Sequence, residues 1–150
     1  MILWRISNHV NLSGTGGIIA PARWHNAGRP IVYTASTPAS ALLEVLVHLE
    51  LGSTDNLPDA YNLLQIEAPD NMAISEVSEA DLDPQWKSME DISRKIGDFW
   101  LRETRTALLS VPSVIVPHTR HYLINPAHPD ANRIRILSSG KYPYDSRLFK

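Results

Sequence analysis

The sequence predicts an α+β fold, a small mixed or antiparallel sheet with packed helices. Short alternating or β-branched stretches recur along the 150 residues, whereas only two stretches carry a sustained helical period. Strands and helices do not alternate one for one, so the crossover helices of a doubly wound parallel sheet are too few. The 11 prolines against 7 glycines confine regular structure to short, bounded pieces.

Taken in order, Leu3-Trp4-Arg5-Ile6 alternates as a strand, and Ser13-Gly14-Thr15-Gly16-Gly17 reads as a loop. Ile31-Val32-Tyr33-Thr34-Ala35 is a second strand, rich in β-branched and aromatic residues and opened by Gly28-Arg29-Pro30. Thr37 caps and Pro38 starts a helix running from Ala39 to Leu51, with Gly52 as its breaker. Leu42, Leu43, Val45, Leu46, Val47 and Leu49 nearly surround that helix, which predicts packing on most sides. Asp55 to Asp59 is a turn around Pro58, and Tyr61 to Glu67 a strand stopped by Pro69-Asp70. Between Trp86 and Leu109, Met89, Ile92, Ile96, Phe99 and Trp100 recur at three and four, opposite charged residues, as in an amphipathic helix with Gly97 as its weak point. Val111 to Pro117 is a buried strand fenced by prolines, Asn125-Pro126 and His128-Pro129-Asp130 are turns, and Arg133 to Leu137 alternates as a last strand. There is no repeat or linker, so residues 1–150 are expected to form one domain.

With 43% hydrophobic residues the chain can bury a core, and 14 basic against 16 acidic side chains leave a net charge of −2. Nothing in that balance predicts a footprint on nucleic acid or membrane. The absence of cysteine excludes disulfides, thiolate metal ligands and a cysteine nucleophile. The start lacks a basic and apolar leader, and no apolar run approaches the ~18 residues of a membrane span. A soluble cytoplasmic protein is expected.

Glu44 interrupts a helix that is otherwise apolar on nearly every face. With Ser40 and Ala41 at helical spacing, it either faces a pocket with room for a ligand, or marks a narrow solvent stripe with His48. Arg23, beside Trp24-His25 in irregular chain, can grip a phosphate bidentately or stack on Trp24. Arg5 alternates to the face opposite Trp4 and Ile6, and needs an anionic partner if that face is core. Tyr33 can stack on a flat heterocycle and orient it through its hydroxyl, or be a half-buried core residue. The glycine cluster lacks the lysine and hydroxyl residue of a triphosphate loop, so a flexible connection is the better reading. Ser113 has no nucleophile elbow around it but offers a hydroxyl to a ligand. His118 and His121 lack the spacing and glutamate of a zinc helix; surface or structural roles, or an acid–base pair for RNA cleavage, remain.

In order and spacing, Leu3-Trp4-Arg5-Ile6, Ala22-Arg23-Trp24-His25, Pro30 to Ala35, Leu42-Leu43-Glu44-Val45-Leu46-Val47-His48, Val111-Pro112-Ser113 and Tyr122-Leu123-Ile124-Asn125-Pro126 resemble the RES-domain toxins of bacterial toxin–antitoxin operons. The resemblance covers nearly the whole chain. It implies that Arg23, Glu44 and Ser113 are the residues that name the family, with Arg5 and Tyr33 completing the pocket. It implies a fold similar to ADP-ribosyltransferases, NAD as substrate without a metal, and cleavage of the nicotinamide–ribose bond with water or phosphate as acceptor. Transfer of ADP-ribose to a host-cell protein is the alternative activity, and a non-catalytic nucleotide-binding module a further one. A cognate Xre-like helix-turn-helix antitoxin blocking the pocket is the implied partner, and would make the DNA contact. The apolar stripe of the 86–109 helix is either core or a homodimer contact. The departures are Ala22 where the family often has glycine, and His25 and His121 where it often has asparagine.

Overall fold

The computed structural model describes residues 1–49 and 58–149. The second helix ends at His48, with Leu49 as an extended C-cap, short of the Leu51 expected; Gly52 and most of the turn expected over 55–59 lie outside the described residues. Among those described, seven strands and three α-helices follow one another as β1 (Ile2–Ile6), α1 (Thr15–Ile19), β2 (Val32–Ala35), α2 (Pro38–His48), β3 (Ala60–Glu67), β4 (Ile74–Glu76), α3 (Glu90–Glu103), β5 (Leu108–Pro112), β6 (Arg120–Ile124) and β7 (Arg135–Pro143). The strands form one sheet in the order β4-β5-β6-β2-β1-β3-β7. Only β4 and β5 run parallel; the other neighbours are antiparallel. This is the mixed sheet of an α+β fold.

Register sorts the side chains onto two faces. Leu108, Ile124 and Val32 sit in one row across β5, β6 and β2, and with Leu3, Leu64 and Ile66 they anchor one buried cluster. Leu109, Leu123 and Tyr33 form the neighbouring row, which packs with Trp24, Trp86, Trp100 and Leu101 on the other face. Side chains such as Leu64, wholly buried, each contribute about 1.5–3 kcal/mol through removal of apolar surface from water.

Several predicted boundaries move. The glycine cluster folds as the short helix α1, whose N-cap Gly14 has φ 69°; a Cβ there would lie 2.6 Å from the Ile31 backbone nitrogen. The strand predicted at Val111 to Pro117 is instead β5, five residues that are all buried, and the chain after Pro112 turns. The last strand starts later and runs longer than Arg133 to Leu137, since a 3-10 turn takes Pro129–Arg133. Strand β4 is too short, and β6 opens too polar with Arg120 and His121, for alternation to reveal either.

The two main helices also pack differently from their apolar patterns. Thr37 accepts the Ser40 N–H at 3.1 Å and Pro38 occupies the first turn of α2, as the capping signal predicts. Yet Ala41 alone of α2 is fully buried, and Val47 is 59% exposed, so the helix covers the sheet with one face. In α3 the buried positions are Ser93, Gly97, Trp100 and Leu101, while Met89 and Phe99 are exposed. The stripe is rotated because Gly97 is no weak point: a Cβ on it would fall 1.6 Å from the Trp24 carbonyl oxygen. Glycine lets α3 seat directly on the Arg23–Trp24 backbone, and Ser93 Oγ donates to the Arg23 carbonyl.

Candidate functional site

The face of α2 that meets the sheet carries Ala41, Glu44, Val45 and His48, at helical spacing, and all four line a cavity of about 290 Å³. The opposite wall comes from the row Trp4–Ala35–His121, set by the pairing of β1, β2 and β6. Tyr33, Arg5, Arg23 and the Pro112-Ser113-Val114 turn complete the lining. All five residues singled out from sequence as site candidates, Arg5, Arg23, Tyr33, Glu44 and Ser113, therefore meet at one cavity. Its size suits a nucleoside-sized group.

Glu44 is neither buried core nor a simple solvent stripe. Its side chain is 32% exposed, with Oε1 3.4 Å from His121 Nε2 and Oε2 3.8 Å from His48 Nε2. His48 is largely solvated, whereas His121 is 13% exposed. Burial holds the His121 pKa below the ordinary histidine value, against the opposing pull of the Glu44 carboxylate and a hydrogen bond to the Thr34 backbone. His121 is the site group that sequence reasoning left unassigned. Apart from standing where the resembled family often has asparagine, its sequence signal was proximity to His118, which proves misleading: His118 is exposed, adopts φ 59° and does not border the cavity.

Arg23 does not stack on Trp24, whose ring packs instead against Trp86 at 5.7 Å between centroids. Its guanidinium NH1 donates to the Trp86 and Lys87 carbonyls at 3.3 and 3.2 Å, and NH2 lies 3.8 Å from Glu90 Oε1. Glu90 is drawn off by Arg94, which bonds it and also donates to the Ala22 carbonyl. The side chain is thus held in one orientation, with Nε unengaged among the described residues. Arg5 pairs in register with Leu64, on the alternation opposite to Trp4, and also borders the cavity. The anionic partner expected for it is not found among the described residues. Burial lowers its pKa from the ordinary value, but a guanidinium remains charged, so Arg5 adds an attraction for anions.

Tyr33 is committed differently from the expectation of a ligand-orienting hydroxyl. Its oxygen accepts the Trp24 N–H at 3.1 Å and lies 2.8 Å from His25 Nδ1, while His25 Nε2 lies 3.1 Å from the Gly17 carbonyl. A carbonyl can only accept, so His25 carries its proton on Nε2 and Nδ1 accepts the Tyr33 O–H. Burial pushes the Tyr33 pKa upward, and the ring is left to line the cavity. Ser113 Oγ accepts the N–H groups of Ile115 and Val116, both at 3.1 Å. With its acceptor capacity filled, the hydroxyl can serve a ligand only as a donor.

A family model described as RES domain matches residues 2–145. A relative named Toxin Res, from Pseudomonas putida, is 47% identical over 149 residues, spanning 99% of this chain and 100% of its own length. Another, from a Sphingobium strain and named Prs ADP-ribosylating toxin, is 41% identical over 98% of this chain and 96% of its own. Among solved structures, a chain of the M. tuberculosis MbcT–MbcA toxin–antitoxin complex superposes with a TM-score of 0.74 at 17% identity, covering 95% of this chain and 84% of that one. That likeness speaks for the fold, while the full-length matches settle the lineage: the chain belongs to the RES-domain family.

Proposed function

We propose that this protein is the toxin of a toxin–antitoxin pair that consumes NAD by cleaving its nicotinamide–ribose bond, with water or phosphate as acceptor. The observation that carries this reading is the Glu44 carboxylate, which projects from α2 into a small, mostly apolar cavity also bordered by two arginines. Loss of nicotinamide develops positive charge on the ribose, as glycosidic cleavage does. A carboxylate in a site with little water stabilises that charge and can hold a ribose hydroxyl. Nicotinamide leaves neutral from a cationic precursor, so no strong acid and no metal is required.

In this reading Arg23 and Arg5 hold the pyrophosphate, the Tyr33 ring packs near the nicotinamide, and Ser113 donates to the amide or ribose. Glu44 and Ser113 then act on the reacting half of the substrate while Arg23 fixes it through the pyrophosphate, and residues 1–150 work as one cytoplasmic domain. The test is nicotinamide release from NAD by the purified protein. Glu44→Gln should lower kcat by at least about 10²-fold, the loss expected when one preorganised charge-stabilising group is removed. Full activity in that variant would sink the role assigned to Glu44, and saturable NAD binding without release under any acceptor condition would favour a non-catalytic module.

Transfer of ADP-ribose to a protein is the second reading, favoured by the name of the Sphingobium relative. Labelled NAD marking a discrete band in lysate would support it. The solved complex of the structural neighbour supports an antitoxin as partner here, an Xre-like protein that covers the cavity. No helix among the described residues is long and apolar enough to cross a membrane.

A further inference from the structure

We propose that His121 is a positioning residue that draws off, through Glu44, the proton released by the acceptor hydroxyl when the ribosyl group is transferred; this rests on the NAD-cleaving reading. The arrangement is geometric. The imidazole lies on β6 against the wall of the cavity, only 13% exposed, with Nε2 3.4 Å from Glu44 Oε1. With the ring proton on Nδ1, Nε2 presents a lone pair 3.4 Å from Glu44 Oε1, where a neutral imidazole nitrogen can take a proton from the carboxyl group.

The balance is complete without a further reactant. The C1′–N bond breaks, and its electron pair stays on nicotinamide, which leaves neutral. An oxygen lone pair of the acceptor forms the new bond to C1′. The acceptor proton passes to Glu44 and on to His121 Nε2, restoring the carboxylate, and returns to solvent through the exposed edge of Glu44. For water as acceptor the products are ADP-ribose, nicotinamide and one proton.

Other titratable groups bordering the cavity are His48 on α2, Arg5 on β1, Arg23 before β2 and Tyr33 on β2. Arginines stay charged through the range of interest, and burial moves Tyr33 upward, out of it. His48 is the other histidine beside Glu44, solvated on the other carboxylate oxygen.

The experiment is the pH profile of nicotinamide release between about pH 5 and about pH 9, a range that spans histidine titration, for the native protein, His121→Asn and His48→Gln. The native rate should fall on the acid side as His121 takes a proton and can no longer receive one. His121→Asn should lower kcat roughly 10²-fold, the lower end for lost proton transfer, with little change in KM and without that acid limb; His48→Gln should keep the limb. The same profile in native protein and His121→Asn, or loss of the limb in His48→Gln instead, overturns the proposal while leaving the NAD reading intact. No nicotinamide release by native protein at any pH overturns the NAD reading itself. An NMR titration of the His121 ring decides the coupling independently of activity: Glu44→Gln should lower its midpoint, and an unmoved midpoint overturns the proposal.

Discussion

Ser113 illustrates how one side chain can close a turn and still border a cavity. Its Oγ closes the turn after β5 by accepting the Ile115 and Val116 N–H groups, in a position only 5% exposed. Removing the hydroxyl leaves two partly buried donors without an acceptor, which costs about 1–3 kcal/mol each where water cannot reach them. Ser113→Ala should therefore lower the denaturation midpoint as well as NAD turnover, whereas Ser113→Thr, which keeps the hydroxyl, should retain most of the stability. Urea unfolding followed by circular dichroism checks this; unchanged stability in the alanine variant would show that solvent replaces the bonds. At this scale the sequence was informative where a residue type clashed with its pattern. Glu44 in an apolar helix and Arg5 in a strand both stood out in the sequence and both border the cavity, whereas His121 did not stand out. Its partner Glu44 lies far along the chain and meets it only because β6 pairs with β2 and α2 packs over those strands.

The helices show why pattern and packing can part company. Helix α2 was legible because its start is local chemistry, a threonine cap followed by proline. The buried face of α3 was not legible, since it is set by what approaches it rather than by its own apolar residues. Gly97 receives the Trp24 backbone so closely that any side chain must push the two apart. Gly97→Ala should thus destabilise the protein by about 1–3 kcal/mol, the usual cost of overpacking, despite the better helix propensity of alanine. It should also raise KM for NAD more than it lowers kcat, because Arg23 sits on the displaced segment. Thermal melts and steady-state kinetics of this variant test both statements; a more stable Gly97→Ala protein would mean that the contact is loose.

Across the whole molecule, acid sensitivity should follow from the same buried imidazole. The folded-state pKa of His121 is lowered, so the unfolded chain binds its proton more readily than the native protein does. The associated stability is present above the ordinary histidine pKa of about 6.5 and is lost as pH falls through the lower folded value. His121→Asn should flatten that part of a plot of Tm against pH, and an unchanged slope would argue against it. The fold class was readable because short bounded strands outnumber helices, but strand order was not: β1 lies between β2 and β3 while β6 reaches β2 from the far end of the chain, and such pairings leave no local trace. The sheet also keeps its two faces apart in purpose. Every residue of the buried cluster around Leu64 is absent from the cavity lining, although Arg5 and Thr34 reach the cavity from that face of the sheet. Stabilising substitutions confined to that far cluster escape the usual trade-off against activity, so this side of the molecule is where the sequence has freedom to drift, and where an engineer could raise its heat resistance without touching the chemistry.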